Sequence, residues 1–354
     1  MQLIRSGAIT VVLIAAAAPA RADDQFVAKT QLYVDNDHTT VVSPLLRISK
    51  DAWTGGTLGA SFVADIVSSA SVDVVTNATK RMTDFRREGT ASLSQKISDT
   101  TLSASYIYSQ ENDYQSHNAH VGLAQDLLQK NTNLSIGYTL SVNTVGRSGD
   151  PNFARSLMVH DVEAAWTQNL GPKTIAQLSG SFQYDSGYQA SPYRFVRIEG
   201  GEDFKVPETD PNERMRVAAV AAINRHVGKD SALQADYRFY IDDWGIVAHT
   251  VQARLLVNFG AATFRLRGRF YYQGDASFFQ PHYLQLQSYV TSDRELSNFW
   301  AVLGGPKLDV KLPYSGGSAV LEAKVDVFYY EYLDFAWLAD RLGANLSVGL
   351  TMNY

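Results

Sequence analysis

The chain has 354 residues and a net charge of −5; 45% of its residues are hydrophobic, 19% are charged, and none is cysteine. This mildly acidic balance argues against a nucleic-acid partner. The lack of thiols rules out a disulfide framework.

The first 22 residues read as a secretory signal. Arg5 supplies the positive end, Gly7 to Ala18 is an apolar run too short to span a bilayer as a helix, and Ala20-Arg21-Ala22 is a small-x-small cleavage site. The alternative is a retained anchor. Cleavage near Asp23 removes Arg5 and Arg21 and no acid, which makes the remaining chain two units more negative. No later apolar run has helix-spanning length. A membrane-spanning form of this chain therefore has to be a closed barrel, the other fold that satisfies every backbone hydrogen bond in lipid.

From residue 27 onward the chain alternates apolar and polar side chains in about sixteen segments, each of a length that suits a tilted transmembrane strand. Their expected spans are 27–34, 39–50, 57–67, 84–97, 100–109, 117–127, 132–143, 158–170, 174–185, 214–227, 231–241, 248–259, 262–273, 298–312, 318–331 and 343–354. Fourteen or eighteen strands are the alternatives, since 27–34 and 298–312 are the weakest segments. The connections alternate in length. Short ones hold tight-turn residues: Ser98-Asp99, Gln129-Lys130, Gly171-Pro172-Lys173, Gly228-Lys229-Asp230 and Gly260-Ala261. Residues 68–83, 144–157, 186–213 and 274–297 form long ones. Short periplasmic turns opposite long external loops are the habit of outer-membrane barrels.

Aromatic residues gather at one end. Leu102-Ala104-Tyr106-Tyr108, Leu178-Gly180-Phe182-Tyr184, Leu233-Ala235-Tyr237-Phe239, Leu266-Gly268-Phe270-Tyr272 and Leu321-Ala323-Val325-Val327-Tyr329 each run from aliphatic to aromatic along the apolar face. That pattern is an interfacial girdle. On descending strands Trp166, Phe259 and Tyr354 lie near the opposite end. The last nine residues, Leu346 to Tyr354, alternate again and stop on an aromatic. Ser347, Gly349, Met352 and Tyr354 resemble the C-terminal signal of bacterial outer-membrane barrels. The expectation is all-β, a single antiparallel transmembrane barrel over 23–354, located in the bacterial outer membrane.

Several stretches resemble an uncharacterised bacterial family, the family of unknown function 3570. They are Asp35-Asn36-Asp37-His38-Thr39-Thr40-Val41-Val42-Ser43-Pro44, Asp65-Ile66-Val67-Ser68-Ser69-Ala70-Ser71-Val72-Asp73, Glu111-Asn112-Asp113-Tyr114, Gly187-Tyr188-Gln189-Ala190-Ser191-Pro192-Tyr193-Arg194-Phe195-Val196, Asp242-Asp243-Trp244-Gly245 and Ser292-Asp293-Arg294-Glu295-Leu296. The resemblance implies an outer-membrane barrel and lends no activity. It marks Asp35, Asp37, Ser69, Ser71, Asp73, Asp113, Tyr193, Arg194, Asp243, Trp244, Arg294 and Glu295 as external-loop residues. Such loops serve binding, or pack on each other to close the barrel.

If the apolar face meets lipid, the alternate residues line a lumen. Arg265, Arg267 and Arg269 then point inward from one strand, Arg254 from its neighbour, and Asp236 and Arg238 from the next; Glu322, Lys324 and Asp326 stand on a later strand. Arginines at every second position repel each other and are tolerable only beside water or carboxylates. Two readings follow: a selectivity surface for small polar or charged solutes, or an internal salt-bridge lattice. The loop 274–297, with Phe278, Phe279, Tyr283 and Tyr289, is unusually apolar for an exposed loop, which a folded-in constriction or a ligand contact would explain.

Catalysis has little to rest on. His160 and Asp161 are adjacent on a strand and so point to opposite faces. No Gly-x-Ser-x-Gly or His-Glu-x-x-His element occurs. Asp35/Asn36/Asp37 and Glu111/Asn112/Asp113 offer oxygen ligands of the kind calcium takes, but they read as solvated turns, and neither metal nor cofactor is expected. The expected surroundings are outer-membrane lipid and lipopolysaccharide, with the barrel-assembly machinery engaging the C-terminal strand. A non-conducting scaffold or adhesion barrel and an outer-membrane hydrolase are the rival functions.

Overall fold

The computed structural model describes residues 24–69, 82–200 and 204–354. The expected signal, 1–22, and the motif residues Ser71 and Asp73 lie outside the described residues. In chain order the strands are β1 (Gln25–Asp35), β2 (Thr39–Trp53), β3 (Gly56–Ser69), β4 (Met82–Ile97), β5 (Thr100–Gln110) and β6 (Tyr114–Leu127). There follow β7 (Thr132–Arg147), β8 (Asp150–Gly171), β9 (Thr174–Gly187), β10 (Phe195–Ile198), β11 (Phe204–Pro207) and β12 (Glu213–Val227). The last six are β13 (Ser231–Asp242), β14 (Val247–Phe259), β15 (Ala262–Gln273), β16 (Phe299–Tyr314), β17 (Gly317–Tyr332) and β18 (Asp340–Asn353).

Sixteen of them close into one antiparallel barrel, with β9 beside β12 and β18 beside β1. The closing pair runs in unbroken register from Gln25↔Asn353 to Asp35↔Gly343. Closure leaves no strand edge unpaired, which a bilayer demands. Each of the sixteen segments read from the sequence falls on one of these strands.

The period of two decides which side chains meet lipid. Leu46 and Ile48, Leu58 and Phe62, Leu102 and Tyr106, Leu178 and Phe182, Leu266 and Phe270, and Leu346 and Val348 are all exposed on the outside. Buried in the solvent sense they are not, because their solvent is lipid. At one end the outer tyrosines pair with histidines on the next strand. The Tyr106, Tyr138 and Tyr237 hydroxyls lie 2.6, 2.8 and 2.8 Å from Nδ1 of His117, His160 and His249. In each pair the tyrosine ascends and the histidine sits two register positions further out on the descending partner. An amphipathic ring with its polar tip satisfied is what a headgroup layer accommodates.

The connections depart from the expected rhythm in two places. Residues 144–157 are not a long loop. β7 and β8 continue as a hairpin past the barrel rim and turn at Ser148-Gly149, with Gly149 at φ +82° and an Arg147–Asp150 ion pair across the turn. Val145 and Leu157 are buried on one face, and nearer the tip Arg147 and Arg155 flank the Phe153 ring, so the lipid-facing alternation ends while the backbone ladder continues. Residues 186–213 are not unstructured either: β10 and β11 pair as a two-stranded ribbon above the barrel.

Candidate functional site: a charged lumen under a stapled loop layer

The inward positions of β12 to β17 carry the charges that the register assigns to the lumen. Most are paired along the wall. Arg216 lies 2.7 Å from Asp185, Arg254 lies 3.5 Å from Asp236, and Arg267 and Lys324 each lie 2.7 Å from Asp326. Lys307 bridges Asp309 and Glu322 at 2.8 and 2.9 Å, and Lys29 closes on Glu322 from the far side of the β1–β18 seam.

Glu322 and Asp326 therefore stand on the same wall as the arginines of β15. β15 and β17 flank β16, whose Gly305 stands opposite Arg267. With no side chain between them, Arg267 reaches Asp326 along the same wall. Among the inward arginines of these strands, Arg238, Arg265 and Arg269 make no ion pair with any described residue. Arg238 stacks over Tyr240 at 5.3 Å and Arg269 over Tyr271 at 5.8 Å. The Arg238 Nη2 and Arg265 Nε atoms are buried and have no hydrogen-bond partner.

The wall of β6 to β9 differs. Its inward residues are mostly small, among them Gly122, Ser135, Gly137, Ser179 and Ser181, and they flank an open part of the lumen. His120 and Glu163 stand out from this wall. His120 Nδ1 sits 3.0 Å from the Thr139 hydroxyl. His160 points outward to Tyr138 while its neighbour Asp161 points inward, so the two form no dyad.

The external mouth is narrowed by its loops. Residues 274–298 pack on inward-facing aromatics at the outer ends of β15, β16 and β17. Trp244, Ile246, Phe279, Leu296, Phe299 and Tyr332 form the buried heart of this layer. Gln273 Nε2 donates to the Glu295 and Ser297 carbonyls at 2.8 and 2.9 Å. A second cluster, Val196, Ile198, Tyr283 and Val290, joins the β10–β11 ribbon to the same loop.

The described motif residues hold this layer together. Arg294, on a short 3-10 turn (Arg294–Leu296), forms a buried ion pair with Asp37 of the β1–β2 turn. Glu295 accepts from Arg341 of β18 at 3.5 Å. Arg194 lies 2.6 Å from Asp293 and 3.6 Å from the buried Glu208. The Tyr193 hydroxyl accepts from the Ser148 N–H at 2.6 Å and donates to Asp113. The Asp243 carboxylate accepts from the Met215 N–H at 2.9 Å, and Trp244 donates to the Glu213 carbonyl at 2.9 Å with the Arg214 guanidinium 4.1 Å above its ring. Asp35 accepts from the Thr39 N–H at 2.9 Å, and the Ser69 and Thr39 hydroxyls meet at 2.8 Å.

Two acidic turns were candidate cation sites. Asp37 of the first is taken by Arg294. In the second, Glu111 and Asp113 are joined by Asp84 of β4, with carboxylate oxygens within 4.8 Å of one another. Burial, and then the charge of Asp84, push the Glu111 carboxyl up to about 7. A proton held in the trio relieves its repulsion. Sequence reasoning did not find Asp84, Glu208 or Arg341. The first stands at the start of a strand, the second in a loop without a pattern, and the third is one inward residue among many.

A closed sixteen-strand barrel with an apolar outer band and a charged lumen is an outer-membrane β-barrel. The protein-of-unknown-function family DUF3570 matches residues 7–168 and 155–334, and the chain belongs to that family. No protein of curated function matches the sequence. Among solved structures, CdiB from Acinetobacter baumannii is similar at 11% identity and a TM-score of 0.54, over 93% of this chain and 60% of that one. The chain thus spans about 60% of the length of CdiB. A bacterial polysaccharide outer membrane secretin is similar at 8% identity and a TM-score of 0.52, over 95% of this chain and all of that one. These likenesses concern the fold.

Proposed function

We propose that this barrel passes small polar or charged solutes through its lumen, with residues 274–298 and the β10–β11 ribbon as the restriction at the external mouth. The observation that carries the reading is the set Arg238, Arg265 and Arg269, three inward arginines without ion pairs in a barrel of a strand count that ordinarily leaves an aqueous channel. Uncompensated guanidinium groups raise the local anion concentration. Single-channel recording of the refolded protein in a planar bilayer tests this. Stepwise conductance with an anion-preferring reversal potential under a salt gradient is the expected result. A silent bilayer from a folded barrel overturns it.

The stapling of the loops supports a second reading, a non-conducting barrel whose external layer docks a partner. Removing 276–292 separates the two: a pore conducts more, whereas a scaffold loses its partner and stays silent. We also propose that the N-terminal segment directs export, that lipopolysaccharide and lipid surround the girdle, and that the barrel-assembly machinery engages β18. Support for the last comes from the position of β18, whose pairing with β1 is the step that closes the cylinder.

A further inference from the structure

The turn between β5 and β6 and the start of β4 bring three carboxylates together at the external rim. Asp84, Glu111 and Asp113 each place one oxygen so that all three lie within 4.8 Å of one another. Glu111 and Asp113 are half-buried, and Asp84 is only 5% exposed. The two oxygens of Asp84 differ. Its Oδ1 accepts from the Phe85 N–H at 2.8 Å and from Asn112 Nδ2 at 2.9 Å. Its Oδ2 is buried and has no hydrogen-bond partner.

A buried carboxylate oxygen without a donor is costly, and two further acids beside it add repulsion. The cation two positions along β4 does not relieve it, because Arg86 is held by Asp65 at 3.0 Å and Glu88 at 3.1 Å. Nor is the turn free to spread. The Glu111 N–H donates to the Tyr114 carbonyl at 2.7 Å, and the Gly146 N–H donates to the Asp113 carbonyl at 2.6 Å. A Cβ on Gly146 would stand 3.1 Å from that carbonyl oxygen, so glycine lets β7 close on the turn. The Tyr193 hydroxyl, from the loop that leads into β10, donates to Asp113.

We propose that Asp84, Glu111 and Asp113 form a calcium site at the external rim. An all-oxygen, anionic set suits a hard cation, and Oδ2 of Asp84 gains in it the partner that the protein does not supply. Oxygens within 4.8 Å of one another can be bridged by an ion with bonds of about 2.3–2.6 Å, whereas magnesium, at about 2.0–2.1 Å, demands a tighter octahedron. A proton neutralises one of the three charges. A divalent ion neutralises two and reaches all three carboxylates at once. Calcium bound there joins β4 to the β5–β6 turn and, through Asp113 and Tyr193, to the loop before β10. The site does not depend on whether the barrel conducts.

Calorimetric titration of the purified, refolded barrel with calcium chloride alone, after chelator treatment, tests this. One calcium per chain should bind saturably, with magnesium chloride weaker by about tenfold or more. Asp84→Asn removes the charge and keeps an oxygen for the Phe85 and Asn112 donors. That variant and Glu111→Gln should each weaken calcium by about tenfold or more. Asp99→Asn, on an exposed turn at the opposite end of the barrel, should change nothing. Calcium should also slow hydrogen exchange at residues 111–113 and 188–194 in the parent, and not in the Asp84 variant. If the Asp84 variant does not fold, Glu111→Gln carries both expectations. Absence of saturable calcium binding, equal affinity for calcium and magnesium, or unchanged calcium affinity in either folded variant would overturn the proposal.

Discussion

At the residue scale, Arg294 and Asp37 dominate the external layer. Both side chains are almost fully buried, and the ion pair links residues 257 positions apart in sequence. Removing one partner of such a pair strands the other charge in a dry environment at a cost of about 3–5 kcal/mol. Arg294→Ala should therefore release the 274–298 segment while the barrel persists. Hydrogen exchange should speed in those residues and stay slow in β12 to β18. Uniform loosening of strands and loop would count against a local staple. The double variant Arg294→Met/Asp37→Leu should recover most of the loss, because it buries no lone charge. Glu111 carries the second residue-scale expectation. Its carboxyl titrates at about 7 in the folded chain, above its ordinary value of 4.5. A raised pKa means that folding takes up a proton. The resulting stability is full below about 4.5 and is lost as pH rises through about 7. Proteolytic protection of the 111–113 turn should fall over that interval in the parent and stay flat in Glu111→Gln. Protection that rises with pH would sink the account.

At the element scale, the two long loops behave as one body because Glu208 ties them. Its carboxylate accepts from the Ser191 N–H at 3.0 Å, the Ser292 N–H at 3.2 Å and the Thr291 hydroxyl, so it touches both loops at once. Glu208→Ala should free the β10–β11 ribbon and residues 283–293 together, giving protease cuts in both. Cuts in one loop alone would show that the apolar cluster around Tyr283 suffices. The strands were legible in the sequence because lipid and lumen enforce opposite chemistry at alternate positions, and Leu102 to Tyr108 can satisfy that in one register only. The β10–β11 ribbon was not legible. Four-residue strands above the membrane face no lipid, so Phe195 to Ile198 show no sustained alternation. The lumenal arginines could be read as inward residues. Their partners could not, because the Arg267–Asp326 pair spans an intervening strand and depends on Gly305 at one register position.

At the scale of the whole molecule, selectivity is the field of all lumenal charges summed over the bore. One-to-one pairs such as Arg216 with Asp185 and Arg254 with Asp236 contribute little beyond their own wall, since their charges largely cancel within about 3 Å. Arg238, Arg265 and Arg269 have no such local cancellation and project their field across the lumen. The two classes should respond differently to the same change. Arg265→Glu and Arg269→Glu together should shift the reversal potential toward cations severalfold in permeability ratio, with thermal stability close to the parent. Arg267→Glu should instead cost stability, because it sets a second carboxylate beside Asp326 and leaves Lys324 as the sole partner of Asp326. The shift in the double variant should shrink between about 0.1 and 1 M salt, as the screening length falls from about 10 to about 3 Å. A shift that persists at 1 M salt would mean that the arginines act by direct contact at a narrow constriction and not through a field. Equal effects from reversing Arg267 and Arg269 would mean that the wall does not divide into paired and unpaired charges at all.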